Sequence, residues 1–485
     1  MSSYSTDTPR RVEATAMEGS SIALIVPTLL KNMIGAGIFS LPVGLRYATP
    51  IPGLIVLGTI GLLSASSYWM IGYCCIACGV KSFRDLWNVV LGQRSAWIID
   101  VTIFLNGWIT LICYIILIGD FTTKSFEGLL GPDHILAKKR ALCQTVISAF
   151  VLLPLSLAKD LQRLAYTSIL GLIVLVYVLF VVIQDSILNS PPEISEEVHL
   201  CEWNFGIFEA IALYCHAFVA HYNAPKIFSE LANPTLIRWT QLVGIAYSVA
   251  FVVYAEFAWA GFRRFQLSVE GNVLKNYGPQ LNILIAWLGM GFSIAFTYPL
   301  VFNSAREAAI NLTLIARQTL SSIDSPRFRQ LQDGYYGSSW QHRSEQLIRL
   351  LGPSPDSPNH KLSQKPGTKT TFLLVLLTYV VAVRCDDVGI ANALAGSVMG
   401  CMVCLVLPGL LFFNVARMQQ RAQQARGLQK PLLTKGCLSH RERGSSGAAL
   451  PMRPILAQFA GIVIFISGTI FTIVGTAVIL MHHLS

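Results

Sequence analysis

Lys31-Asn32-Met33-Ile34-Gly35-Ala36-Gly37-Ile38-Phe39-Ser40-Leu41-Pro42 lies inside the first hydrophobic run of the chain, and its reading decides the rest. A helix that only anchors a protein in lipid has no use for an asparagine, two glycines and a proline in so short a stretch. Each weakens either lipid solvation or the helix itself. The stretch therefore predicts a helix that breaks at membrane depth. At such a break the freed N–H groups and the helix-end dipole hold a carboxylate, and the freed carbonyls hold an ammonium or a sodium ion. Gly35, Ala36 and Gly37, with the adjoining Ile38, are the expected substrate contacts, because small residues let a ligand reach the backbone. The competing use of such glycines is close helix packing.

That reading needs a membrane, and the composition supplies one. Of 485 residues, 53% are hydrophobic and 13% charged, against roughly 25% charged in a soluble chain. Eleven apolar runs approach the length of a spanning helix, at 22–45, 53–75, 97–119, 141–157, 164–183, 207–221, 242–260, 281–302, 371–383, 388–413 and 455–481. The ninth is short and the sixth ends among polar residues. The predicted fold class is an all-α polytopic membrane protein of about eleven transmembrane helices. The formal charge of +10 does not imply nucleic acid, because the basic residues gather in loops between apolar runs. Tyr68, Trp69, Trp97, Trp108, Trp239 and Trp259 are expected at the water boundary. Most of the eleven cysteines fall in or beside apolar runs and read as small hydrophobes, while Cys143, Cys201 and Cys385 lie near predicted outer loop ends, where pairing is open.

Lys and Arg are retained on the cytoplasmic side, which places the amino terminus inside. Residues 1–21 are polar, carry no secretory signal pattern and read as a cytoplasmic tail. Spans one to eight occupy 22–303, a mobile basic cytoplasmic loop 304–370, spans nine and ten 371–413, a second basic loop 414–454, and span eleven with a short outer tail 455–485. The acidic stretch from Gln184 to Asn204, without Lys or Arg, falls outside. Lys138, Lys139 and Arg140, and Arg263 with Arg264, dissent from the charge rule on the outer face.

The first and sixth runs are both interrupted and polar, five spans apart. Paired broken helices in corresponding positions point to a five-plus-five inverted repeat with the substrate held where both unwind. The sixth run carries Tyr214-Cys215-His216-Ala217-Phe218-Val219-Ala220-His221-Tyr222-Asn223-Ala224-Pro225-Lys226, polar enough to require a cavity or the interface. Val219, Ala220, His221 and Asn223 are the substrate candidates from this run. His221 is also a candidate proton site, since a histidine titrates near physiological pH. Ser293 and Thr297, with Asn32, offer oxygen atoms for a small hard cation, and Pro299 frees a carbonyl one turn earlier. Glu256, a carboxylate well inside the seventh run, is a second proton candidate; its plainer reading is an interfacial glutamate reaching water.

Three motifs together resemble the amino acid/auxin permease family, which includes sodium-coupled neutral, proton-coupled and vacuolar amino acid transporters. Asn32 through Pro42 is similar to the family's first-span signature; Phe218 through Leu231 to its sixth-span signature, with His221, Ile227, Glu230 and Leu231 in matching places; and Thr297-Tyr298-Pro299-Leu300-Val301-Phe302 with Arg306 to its eighth-span ending. The resemblance implies an eleven-span inverted repeat with a cytosolic amino terminus, backbone binding of the substrate at Gly35, Ala36 and Gly37, and sodium ligation at Asn32 and Thr297. The residues after His221, Tyr-Asn-Ala-Pro-Lys, depart from the sodium-coupled pattern, so the coupling ion stays open between sodium and proton.

The expected function is secondary active transport of neutral α-amino acids by alternating access, a symport driven by sodium or protons. The expected partners are the amino acid and the lipid bilayer, with no nucleic acid, no cofactor and no metal beyond sodium, and the protein is expected to act as a monomer and not as an enzyme. An amino acid sensor of transporter fold is the alternative; a membrane-embedded enzyme is the third reading, for which the nine scattered histidines show no metal cluster. The plasma membrane and the vacuolar or lysosomal membrane are both open as sites of residence.

Overall fold

The computed structural model describes residues 20–157, 165–191, 194–323, 368–428 and 453–484. Among them the chain is helical, with one isolated bridge between Ser20 and Leu231 and no strand. The helices are α1 (Ile22–Met33), α2 (Leu41–Ala48), α3 (Pro50–Cys78), α4 (Phe83–Leu91), α5 (Trp97–Leu130), α6 (Ile135–Lys138), α7 (Arg140–Ile147), α8 (Leu153–Leu157), α9 (Ala165–Asn189), α10 (Gly206–Ala217), α11 (Ala224–Glu230), α12 (Leu236–Phe265), α13 (Leu281–Ile323), α14 (Thr368–Arg384), α15 (Val388–Ala395), α16 (Leu407–Leu428) and α17 (Pro454–Leu484).

Among the described residues eight helices are long and apolar enough to cross a membrane, or nine when α1 and the bent segment after it count as one. α10 and α14, in the sixth and ninth runs, have 12 and 17 residues, below the roughly 20 that a single helix needs. Several helices outrun their apolar cores. α5 continues past 119 to Leu130, α13 past 302 to Ile323, and α16 to Leu428. Residues 304–323 and 414–428, read as loop, are therefore helical: Ala, Leu, Glu, Gln and Arg are strong helix formers, and hydropathy marks only the part that lipid covers. The rest of both basic loops, 324–367 and 429–452, lies outside the described residues.

The outer surface is what a bilayer requires. Leu62, Phe150, Ile173 and Ile473 are 70%, 77%, 60% and 65% exposed, a surface that only lipid covers without cost. Inside, helices approach through small residues. Gly409 on α16 and Gly461 on α17 face each other so closely that a Cβ on either would sit 2.7 or 2.9 Å from the other's carbonyl oxygen. Between α15 and α16, two π-type turns, Gly396–Gly400 and Met402–Val406, run beside α10, and Gly396 lies directly on the Ala212 carbonyl.

Three of the dissenting basic residues are paired. Arg140 Nε lies 2.8 Å from the buried Asp120 carboxylate, Arg264 Nε 2.8 Å from Asp185, and Lys138 Nζ 2.8 Å from Asp133. One sequence expectation needs correction, and one left open is answered. Tyr68 and Trp239 are not at the water boundary: both are fully buried and stack at 5.3 Å in the core. Cys143, Cys201 and Cys385 are all free thiols, and Cys143 Sγ instead donates to the Leu136 carbonyl.

Candidate functional site

Both interrupted helices break where the sequence places its glycines and polar cluster. α1 ends at Met33; Ile34 (φ −80°, ψ 82°) and Gly35 (φ −120°, ψ −144°) leave the helix, and a 3-10 turn, Ala36–Ser40, leads into α2. The two halves meet at a 51° bend. α10 ends at Ala217, a 3-10 turn follows at His221–Asn223, and α11 restarts with Pro225 in its first turn. Proline suits that position because the first N–H groups of a helix have no partner to lose.

The ends are tied together. Tyr254 of α12, fully buried, places its hydroxyl 2.7 Å from the Met33 carbonyl and 2.7 Å from the Ala217 carbonyl, the last residues of α1 and α10. Its single proton can go to either oxygen. Gly37 then packs on the other half: a Cβ there would lie 3.2 Å from Ala217 Cα and 3.3 Å from His216 Cδ2.

Between the breaks lies a cavity of about 490 Å³. Asn32, Gly35, Ala36, Gly37, Val219, Asn223 and Thr297, all singled out in the sequence, line it. Ser293 lines a smaller adjoining cavity of about 50 Å³, shared with Thr297, Gly35 and Ala36. Thr297 Oγ1 donates to the Ser293 carbonyl at 2.8 Å.

Four predicted residues lie elsewhere. Ile38 and Ala220 are buried in the core beside the breaks and do not line either cavity. Glu256 sits on an exposed position of α12, away from both. His221 points into α3: its Nε2 is 3.0 Å from Ser67 Oγ and 3.1 Å from the Ser64 carbonyl, and its ring packs edge-on against Tyr68. The 3-10 turn rotates it off the cavity wall that His216, at the end of α10, keeps.

The structure adds His216, Lys31, Tyr114, Tyr222, Asn106 and Thr110 to the walls. Among the described residues, His216 Nδ1 is buried without a hydrogen-bond partner. Lys31 reaches into the small cavity: a Cβ on Gly171 of α9 would lie 2.5 Å from Ser293 Oγ and 3.8 Å from Lys31 Nζ. Lys31 adjoins Asn32 in the opening stretch, yet nothing in the local pattern tells which of the two faces inward.

The cavity is one-sided. Its walls run down α1 to Pro27 and along α13 to Ser304, toward the face where α1 begins. Toward the other face the path is closed by buried polar links: Ser40 Oγ donates to the Gly271 carbonyl (2.7 Å) and accepts from Asn392 Nδ2 (2.8 Å). Arg46 Nη1 donates to the Val269 carbonyl at 3.0 Å.

A family model described as "Transmembrane amino acid transporter protein" matches residues 18–435. The Danio rerio protein named "Putative sodium-coupled neutral amino acid transporter 11" is 29% identical over 60% of this chain and 66% of its own length. "Vacuolar amino acid transporter 2" of Saccharomyces cerevisiae is 25% identical over 60% of this chain and 62% of its own. "Sodium-coupled neutral amino acid transporter 7" of Xenopus laevis is 23% identical over 82% and 81%. The chain thus spans just under two thirds of the length of the first two. Because the family model takes in both broken helices and every wall of the cavity between them, this multi-pass membrane protein belongs to the transmembrane amino acid transporter family.

Proposed function

We propose that the chain carries neutral α-amino acids across a membrane as a secondary active transporter working by alternating access. The observation that supports it most is the convergence of two broken helices on one cavity that opens toward one face and is sealed toward the other. Ala36 and Gly37 open a 3-10 turn, so their N–H groups precede its first internal bond and suit a carboxylate. The substrate side chain then lies toward Val219, Tyr222 and Asn223. The names of the relatives supply the same substrate class, and one of them supplies a vacuolar membrane. We place the amino terminus in the cytosol from the charge pattern and take the working unit as a monomer from a five-plus-five inverted repeat, with no cofactor.

For coupling the reading is sodium or proton, and Lys31 weighs toward the proton. Its ammonium shares the small cavity with Ser293 and Thr297, where a second cation meets like-charge repulsion. Lys31→Gln is expected to weaken uptake driven by a pH gradient and to increase the response to sodium; identical responses in both proteins would remove Lys31 from coupling.

The deciding experiment is uptake of a radiolabelled amino acid panel into proteoliposomes under sodium and proton gradients imposed separately. Folded protein that takes up nothing under either gradient sinks the transporter reading. If it nevertheless binds an amino acid, the sensor reading replaces it.

A further inference from the structure

The sequence shows no metal cluster, but the fold brings one carboxylate and two imidazoles together. Glu209 in the first turn of α10 and His482 and His483 at the end of α17 come together on the face where α10 begins. His482 Nδ1 lies 2.8 Å from Glu209 Oε1 and His483 Nε2 lies 3.2 Å from Glu209 Oε2. Consecutive residues on a helix point about 100° apart, and these two meet one carboxylate because one uses its near ring nitrogen and the other its far one. We propose that Glu209, His482 and His483 form a binding site for a divalent transition-metal ion of the zinc class.

Charge, donor type and distance support this. The Glu209 side chain is only 2% exposed. Among the described residues no Lys or Arg pairs with it, so two imidazoles are its only counter-groups. A buried carboxylate is costly without an opposite charge, and a divalent ion supplies one. Two imidazole nitrogens and a carboxylate oxygen are a zinc donor set, with the fourth position left to water. The three ligand atoms lie within 4.8 Å of one another; zinc at about 2.1 Å from each needs them roughly 3.4 Å apart. His482, whose side chain is 58% exposed, has the freedom to close that gap. Tyr47 walls the site, its ring edge-on to both imidazoles at 6.2 and 6.3 Å. The nearby Arg46 is already committed to the Val269 carbonyl, and Asp387 to the Gly389 N–H.

An ion here joins the last helix to the outer end of the half-helix that leads to the second break. It should therefore brake transport, a consequence that rests on the proposed function, whereas binding itself does not. The test uses the full chain, purified in detergent, with cobalt(II) as a spectroscopic probe. Visible d–d bands of a low-coordinate cobalt site are expected, displaced by zinc chloride and lost in Glu209→Gln and in His482→Gln/His483→Gln. His482→Gln alone, at the exposed position, keeps the fold and should weaken zinc binding at least about tenfold, given the usual loss for one zinc ligand partner. In proteoliposomes, zinc chloride should inhibit wild-type uptake and spare the double variant. Absence of bands in the wild type overturns the site and leaves a hydrogen-bonded latch. Bands that persist in the double variant overturn it too, because the ion then sits elsewhere. Metal binding without any uptake defeats the transport reading alone.

Discussion

The two breaks look alike in sequence and differ in construction. At the first, Ala36 and Gly37 present N–H groups ahead of the turn's first internal bond, and Gly35 has open space beside it, with the Tyr114 hydroxyl 4.0 Å from where a Cβ would be. The flanking N–H groups are bonded alike at both, Ile34 to Leu30, Gly35 to Met33 and Ile38 to Gly35 at the first, and Phe218 to Tyr214, Val219 to His216 and Asn223 to Ala220 at the second. What differs is the space: the second break is filled by the His221 ring held between Ser64 and Ser67 and by Phe218 packed on Tyr247 and Tyr254. The first break therefore offers backbone to a ligand, and the second offers side chains on a rigid frame. On the proposed function one cavity uses both, since a carboxylate is best met by several N–H groups and a variable side chain by shaped walls.

The comparison can be broken at four points. The largest effect is expected for Gly37→Val, which pushes a branched side chain into Ala217 and His216 and fills the first break. Overpacking of this kind costs about 1–3 kcal/mol, and with the backbone donors covered, uptake should fall to background while the protein still inserts. Near-normal uptake would place the ligand elsewhere. Tyr254→Phe comes next, because it strips the hydroxyl that serves both half-helix ends. The Met33 carbonyl keeps the Gly35 N–H, but a buried carbonyl left unpaired costs about 1–3 kcal/mol, so thermal unfolding should come earlier and maximal uptake rate should drop more than apparent affinity. An unchanged melting curve would show that the two breaks are not joined through this residue.

The third point separates two histidines five positions apart. His216→Gln is expected to raise the apparent KM by roughly tenfold, about one charge-neutral hydrogen bond, with little change in melting. His221→Ala should do the reverse, lowering the melting temperature and leaving KM near wild type. The opposite pattern would restore His221 to the cavity wall. The smallest effect is expected for Glu256→Gln: on an exposed position outside both cavities it should leave the response to a pH gradient unchanged. A lost pH response would return Glu256 to the coupling path.

Much of this was legible in the chain. Gly35, Gly37, Pro42 and Pro225 mark their breaks because backbone freedom and missing donors act within a few residues. The membrane itself follows from apolar runs counted along the sequence. Asn32, Val219, Asn223 and Thr297 could be placed at the cavity because each belongs to, or aligns with, a break. Lys31, Tyr114 and His216 were harder. Whether such a side chain faces a cavity depends on the rotation of its helix against neighbours that hydropathy does not identify. Tyr254 gave no signal, since a buried tyrosine in an apolar helix reads as core until its partners are known.

The sequence by itself determined the lipid-embedded helices, the positions of the two breaks and the residue types that frame them, for these are local properties of composition, glycine and proline. Only the tertiary structure decided that Lys31 shares a cavity with Ser293, that His216 rather than His221 lines the larger cavity, and that Glu209 meets His482 across 273 residues. Those relations are set by packing between distant segments, where the angle and register of each helix are fixed by contacts the chain order does not reveal.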